Sequence, residues 1–335
     1  MKGRDLLILA GVLLLGGFAL ADALRDGGAG EAEPKPETAT ETGVQPLPTT
    51  TGPELGHARF PAIPGAGGKL VIVEAGSCAV REFDALTGLE LRNVVSRSTC
   101  ELWAAPVTAK VAVGIGPARG DAVPFRFVDL ARPGRNLGNS EAAFGFLAWS
   151  EDGQRAAWCN RRRVGIDYEL GEGRRQLEGC PAAYTPDGEV AFAVEDRLTA
   201  GGRTLVRASG RIVGAHFGED GSVAVVVEGR RIERYVNGRE TDGLDLRGEL
   251  EGRIPAYAPD NCAALFRTGD EEVALVPLGC SPLAVRSFRG TAGAWSPNGR
   301  WVAVTAPNEV AFHPADGNGE PVRWPLGAVG VAWRS

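Results

Sequence analysis

Few residues in this chain of 335 have the types and spacing that chemistry requires. The six cysteines, Cys78, Cys100, Cys159, Cys180, Cys262 and Cys280, include no Cys-x-x-Cys. They therefore lack the short-spaced thiolates of a zinc site, and disulfides are the expectation. There are three histidines. His57 falls in a Pro/Thr-rich stretch and His313 in an outer strand, so only His216 is placed for work, and there a structural role is the better reading. No Gly-x-Ser-x-Gly elbow, His-Glu-x-x-His or Walker loop is present. Asp152, Asp187, Asp220 and Asp260 look like an array of carboxylates, yet each occupies the same place in a repeated turn, where Asp accepts local backbone hydrogen bonds. Asp316-Gly317-Asn318-Gly319-Glu320 lacks the frame and the bidentate Glu of a calcium loop and reads as a hairpin turn. No metal or cofactor is called for.

What remains is charge in loops. Asn160-Arg161-Arg162-Arg163 and Arg230-Arg231 fall at turns between second and third strands, with Asp270-Glu271 at the matching place in another repeat. Loops on a rigid scaffold are where binding residues concentrate. These are the candidate binding residues; for the arginines, acidic protein segments or a polyanionic wall polymer are the expected ligands.

The elements that position these turns repeat. Ala294-Trp295-Ser296-Pro297-Asn298-Gly299, followed by Arg300-Trp301-Val302-Ala303-Val304, reads as strand, tight turn, strand. Pro presets φ at the second turn position, and Ser and Asn hydrogen-bond locally. The same unit appears at Trp149-Ser150-Glu151-Asp152-Gly153, Tyr184-Thr185-Pro186-Asp187-Gly188, Phe217-Gly218-Glu219-Asp220-Gly221 and Tyr257-Ala258-Pro259-Asp260-Asn261. Successive anchors lie 35, 33, 40 and 38 residues apart, the length of one four-stranded propeller blade. Trp103 is a weaker anchor, and Trp333 stands 38 residues after Trp295. A second hairpin trails each anchor, as at Phe83-Asp84-Ala85-Leu86-Thr87-Gly88 and His313-Pro314-Ala315-Asp316-Gly317.

Anchors at Trp103, Trp149, Tyr184, Phe217, Tyr257, Trp295 and Trp333 predict an all-β fold, a seven-bladed β-propeller of four-stranded antiparallel blades over 62–335. The chain ends on an anchor strand with nothing after it, and the folded part begins at residues 69–93 with no anchor before it. The two fragments complete one blade, which closes the ring and removes open sheet edges.

These aromatic-Ser-Pro-Asp-Gly units resemble the WD-repeat-like propeller repeats of the TolB type. The resemblance implies a ring-shaped platform outside the cytoplasm whose loops or central channel bind a protein or peptide. TolB-type proteins also carry a small α/β domain before the propeller, which this chain lacks, so the role of the Tol system is not carried over.

The blade frame selects a cysteine pairing. Cys78 and Cys159 lie where a second strand turns into a third, and Cys100 and Cys180 where one blade enters the next, turns that share one face of a propeller. Cys262 opens a second strand and Cys280 lies between a third and a fourth, on the opposite face. Cys78–Cys100, Cys159–Cys180 and Cys262–Cys280 disulfides follow, which suit an oxidising compartment.

Lys2 and Arg4 precede an uncharged apolar run from Leu6 to Ala21. Residues 1–25 read as a signal-anchor or transmembrane helix, or as a signal peptide cleaved near Ala21 at a small-x-small site. Either way the charge bias puts the rest of the chain outside the cytoplasm. Residues 26–61, with Pro, Gly and Thr and few large apolar side chains, read as a disordered linker. The formal charge of −6 divides into −3 before Pro61 (five Lys/Arg, eight Asp/Glu) and −3 from there on (31 against 34). A near-neutral domain gives no electrostatic case for nucleic acid, and none is expected as a partner. The sequence thus predicts a membrane-tethered, extracytoplasmic, non-catalytic scaffold for a protein, peptide or cell-envelope polymer. The alternative is a hydrolase or lyase with its site in the central channel.

Overall fold

The computed structural model describes residues 58–94, 100–115, 122–132, 136–143, 147–160, 164–170, 172–246, 255–269 and 271–335. The chain divides into two units, Met1–Glu54 and Leu55–Ser335, and the described residues belong to the second. The segments read as a membrane helix or signal peptide (1–25) and most of the linker (26–57) lie outside them. Among the described residues no helix is long and apolar enough to cross a membrane.

Seven four-stranded antiparallel sheets make up the fold. Blade 1 is assembled from both ends of the chain: Ala328–Arg334 is its inner strand, followed outward by Lys69–Glu74, Val80–Asp84 and Glu90–Val94. Leu70 lies opposite Trp333, and Ile72 opposite Val331. The remaining blades run in chain order from inner to outer strand, beginning at Leu102 (blade 2), Leu147 (blade 3), Pro181 (blade 4), Ile212 (blade 5), Ala256 (blade 6) and Ala292 (blade 7). The seven-bladed ring closed by the C-terminal strand is therefore as the repeats predict. Arg59 and Phe60, within the stretch read as linker, pack on blade 1: Arg59 bridges Leu89, and the Phe60 ring stacks on Trp324 at 5.0 Å.

Each anchor unit folds for the reason its residues give. In blade 3, Ser150 Oγ donates to Asp152 Oδ1 at 2.6 Å and accepts from Arg155 N at 2.9 Å, while Gly153, at φ +62°, closes the turn onto Ser150 O. Ser296 and Asn298 repeat the arrangement in blade 7. Asp220 and Asp260 accept from the backbone two residues on, at 3.0 and 2.9 Å. These carboxylates are turn-formers, as their position predicts.

The anchors also join the blades. Trp149 Nε1 donates to Trp103 O (3.2 Å), and Trp295 Nε1 to Ala256 O (3.1 Å). Each indole thus satisfies a carbonyl on the inner strand of the preceding blade while its ring fills the gap between sheets. Trp295 is buried, and so are Tyr184 and Tyr257; Trp103, Trp149, Phe217 and Trp333 are half-buried. The core accordingly divides into clusters that mostly bridge two blades, such as Phe125, Phe127, Trp158 and Tyr168 between blades 2 and 3.

All three disulfides pair as the blade frame predicts, Cys78–Cys100, Cys159–Cys180 and Cys262–Cys280, with Cα separations of 4.8, 5.1 and 5.2 Å. The first two staple turns on one face of the ring and the third a pair of turns on the other.

Candidate functional site

The inner strands carry almost no ionisable chemistry. Among the described residues, and besides tyrosines, their only titratable side chains are His216 and Arg334. His216 Nδ1 lies 2.7 Å from Asn261 Oδ1, and its ring stacks on Tyr257 with centroids 5.1 Å apart. Burial pushes its pKa below the usual value, with the Asn261 bond opposing. That is a neutral, satisfied structural histidine. Arg334 pairs with Glu82, both side chains buried. His313, in the third strand of blade 7, packs at a tilt against Phe288 with ring centroids 4.5 Å apart; burial and the nearby Arg286 and Arg323 push its pKa down to about 4. Among the described residues, no group of three or more His, Cys, Asp or Glu could hold a metal. In the loop that resembles a calcium site, Asp316 accepts instead from Asn318 N at 2.9 Å.

The loop residues singled out in the sequence share one face. Asn160 follows the second strand of blade 3, Arg230 and Arg231 lie at the same turn of blade 5, and Glu271 at that of blade 6. Arg161, Arg162, Arg163 and Asp270 are outside the described residues. Asn160 Oδ1 closes its turn by accepting from Val164 N at 3.0 Å. Arg231 is committed to its own blade: Nε donates to Glu233, Nη1 to Asp245 and Nη2 to Glu240, at 2.9, 2.9 and 3.2 Å. Glu271 pairs with Arg289 at 2.9 Å, both partners exposed. These residues come from three blades, and no described contact brings them together.

A more organised arrangement lies between blades 3 and 4. A groove of about 970 Å³ runs along the outer strand of blade 3, Gly173–Leu177, and the facing strand of blade 4, Val190–Val194. Its floor is Asp167, in the middle of the third strand of blade 3 and 4 % exposed. Pairing places Ala157, Asp167 and Arg175 in register across three strands, so all three face blade 4. Asp167 accepts from Arg155 Nε (3.3 Å) and Nη2, from Arg175 Nη2 (2.8 Å) and from the Tyr184 hydroxyl of blade 4 (2.7 Å). Arg155 Nη1 also crosses the boundary to Gly188 O at 2.9 Å.

Burial by itself would raise the Asp167 pKa, but Arg155, Tyr184 and Arg175 outweigh it and hold the carboxyl below its usual range. Burial and the Asp167 carboxylate push the Tyr184 phenol up. Asp167 is thus a carboxylate bonded by three side chains from two blades. Leu177 and Phe192 are half-exposed walls beside it, and Glu169, Glu172 and Glu189 stand exposed at the rim.

The sequence reading missed this site. Its one visible signal is an aspartate inside Gly-Ile-Asp-Tyr-Glu, where strand interiors disfavour Asp and a buried ion pair is the usual reason. That Arg155, Arg175 and Tyr184 supply the partners follows from register and from blade packing.

Fold and sites together define a disulfide-stapled seven-bladed β-propeller. No protein-family model matches the chain, and no curated protein matches it. Among solved structures it is similar to the C-terminal WD40 domain of Sif2, at 13% identity over 83% of this chain and 88% of that one, with a TM-score of 0.48.

Proposed function

We propose that the chain is an extracytoplasmic, membrane-tethered propeller that binds a protein, peptide or cell-envelope polymer and catalyses no reaction. The observation that carries the reading is the set of three disulfides on a seven-bladed ring, two of whose inner-strand ionisable side chains, His216 and Arg334, are engaged in structural contacts. Structural disulfides belong to oxidising compartments, and a rigid propeller presents binding residues on its faces and grooves. The resemblance of the repeats to the TolB type and the apolar N-terminal segment, read as anchor or signal, support the same location.

A photo-crosslinking residue at Arg230, on the face carrying the candidate turns, tests this in intact cells against the same residue at Leu86, on the opposite face. A discrete adduct from one position supports a scaffold with a working face. No adduct from either removes it. Replacing Arg161, Arg162 and Arg163 together with Ser tests whether that turn takes part: retention on an anionic polymer at low salt should then fall.

A further inference from the structure

We propose that the groove between blades 3 and 4 is a docking site for an extended peptide in which a basic side chain is flanked by apolar ones. This deepens the scaffold reading and rests on it. One wall is the outer strand of blade 3, Gly173–Leu177, which among the described residues is hydrogen-bonded to a neighbouring strand on one side only. Its free edge presents backbone groups to which another strand can add. Gly173 leaves that edge bare, with nothing within 4 Å of where a Cβ would stand, so a second backbone can approach closely.

Leu177 and Phe192 are half-exposed within the groove, and Val190 lies beneath them. These suit apolar side chains at alternate positions of an extended segment. Charge selects the residue between them. The half-buried Arg155 and the exposed Arg175 are both tied to Asp167, and Arg174 turns to Asn139 O and lies over the Tyr168 ring. The rim carboxylates of Glu172 and Glu189 make no ion pair or side-chain hydrogen bond among the described residues, and Glu169 adds a third negative charge. The exposed rim leaves the groove open along its length. An elongated chain fits such a trough, whereas a small molecule needs most of its surface enclosed.

A displayed library of random linear peptides, selected on the purified disulfide-intact protein, tests the assignment. Enriched sequences should alternate Leu, Val, Ile or Phe with Arg or Lys. Their affinity should fall about ten-fold or more on Gly173→Trp, which fills the groove from an exposed strand position and should leave the melting temperature unchanged. The double variant Glu172→Gln, Glu189→Gln should weaken basic peptides while sparing neutral ones. Failure to enrich, acidic enriched sequences, or affinity unaffected by Gly173→Trp each overturns the groove. The scaffold reading is judged separately by the crosslinks from Arg230. A soluble polyanion whose binding Gly173→Trp abolishes places another class of ligand there and also overturns the assignment.

Discussion

Arg334 and Glu82 form a buried ion pair across 252 positions of sequence, and Arg92 holds the second Glu82 oxygen at 2.6 Å. The pair ties the inner strand of blade 1, contributed by the C-terminus, to its third strand. Arg92 still pairs with Glu82 when Arg334 is removed, whereas removing Glu82 leaves the buried Arg334 charge without compensation. Glu82→Leu is expected to cost about 3 kcal/mol or more, read as a lower urea midpoint. The double variant Glu82→Leu, Arg334→Leu should recover part of that loss. Deleting Val329 to Ser335 removes the strand opposite Lys69–Glu74 and should abolish cooperative unfolding; an unchanged transition would show that ring closure contributes nothing.

Each disulfide closes a short loop, of 22, 21 and 18 residues. Replacing one pair by serines should cost about 3 kcal/mol on the chain-entropy estimate. Peptide mapping without reductant should recover the three linkages uncrossed. Free thiols or a Cys78–Cys159 peptide would contradict the arrangement.

Trp295 separates the two parts of an anchor's contribution. Trp295→Phe keeps much of the ring but loses the bond to Ala256 O, and should cost about 1 kcal/mol. Trp295→Ala opens a cavity between blades 6 and 7 and should cost about 3–5 kcal/mol. Equal losses would mean that the indole nitrogen, not the ring, dominates.

His313 gives the fold an acid-sensitive point. Its folded pKa is pushed down to about 4, so between its ordinary value and that one the unfolded chain holds a proton that the folded chain does not. Stability should therefore fall as pH drops from about 6.5 toward 4. His313→Gln should flatten that part of the profile in a melting series. Asp167 works at lower pH with the same slope: its depressed pKa contributes stability above the ordinary Asp value that is lost on further acidification. Asp167→Asn should lower the melting temperature at neutral pH and reduce its decline below about pH 4.

The groove's electrostatics predict the salt response of stability. Arg155, Arg175 and Asp167 form one network, of which Arg175 is the exposed member. Arg175→Ala should cost less than about 1 kcal/mol, because exposed pairs are screened, whereas Arg155→Ala also loses the bond to Gly188 O and should cost more. Thermal melts of both variants at low and high salt check the order.

Local chemistry made the scaffold legible. Ser150, Asp152 and Gly153 form their turn with one another, and variants of that turn recur at blade spacing, so turns, strands and blades can be counted along the chain. The cysteine pairing followed once those turns were assigned to faces. Arg231 shows where such reading stops. As a turn arginine it looks available, but Glu233, Glu240 and Asp245 reach it only when the third and outer strands of blade 5 pair in register.

The groove lies beyond sequence reading for the same reason. Tyr184 is recognisable as an anchor, and nothing in its neighbourhood reveals that its hydroxyl meets an aspartate seventeen positions earlier, across a blade boundary. By itself the sequence determined the repeating unit, the ring and its closure, because each depends on residues adjacent in the chain or on a fixed period. Tertiary structure alone decided which charges are spent and which remain free, because desolvation and ion pairing depend on how two sheets meet.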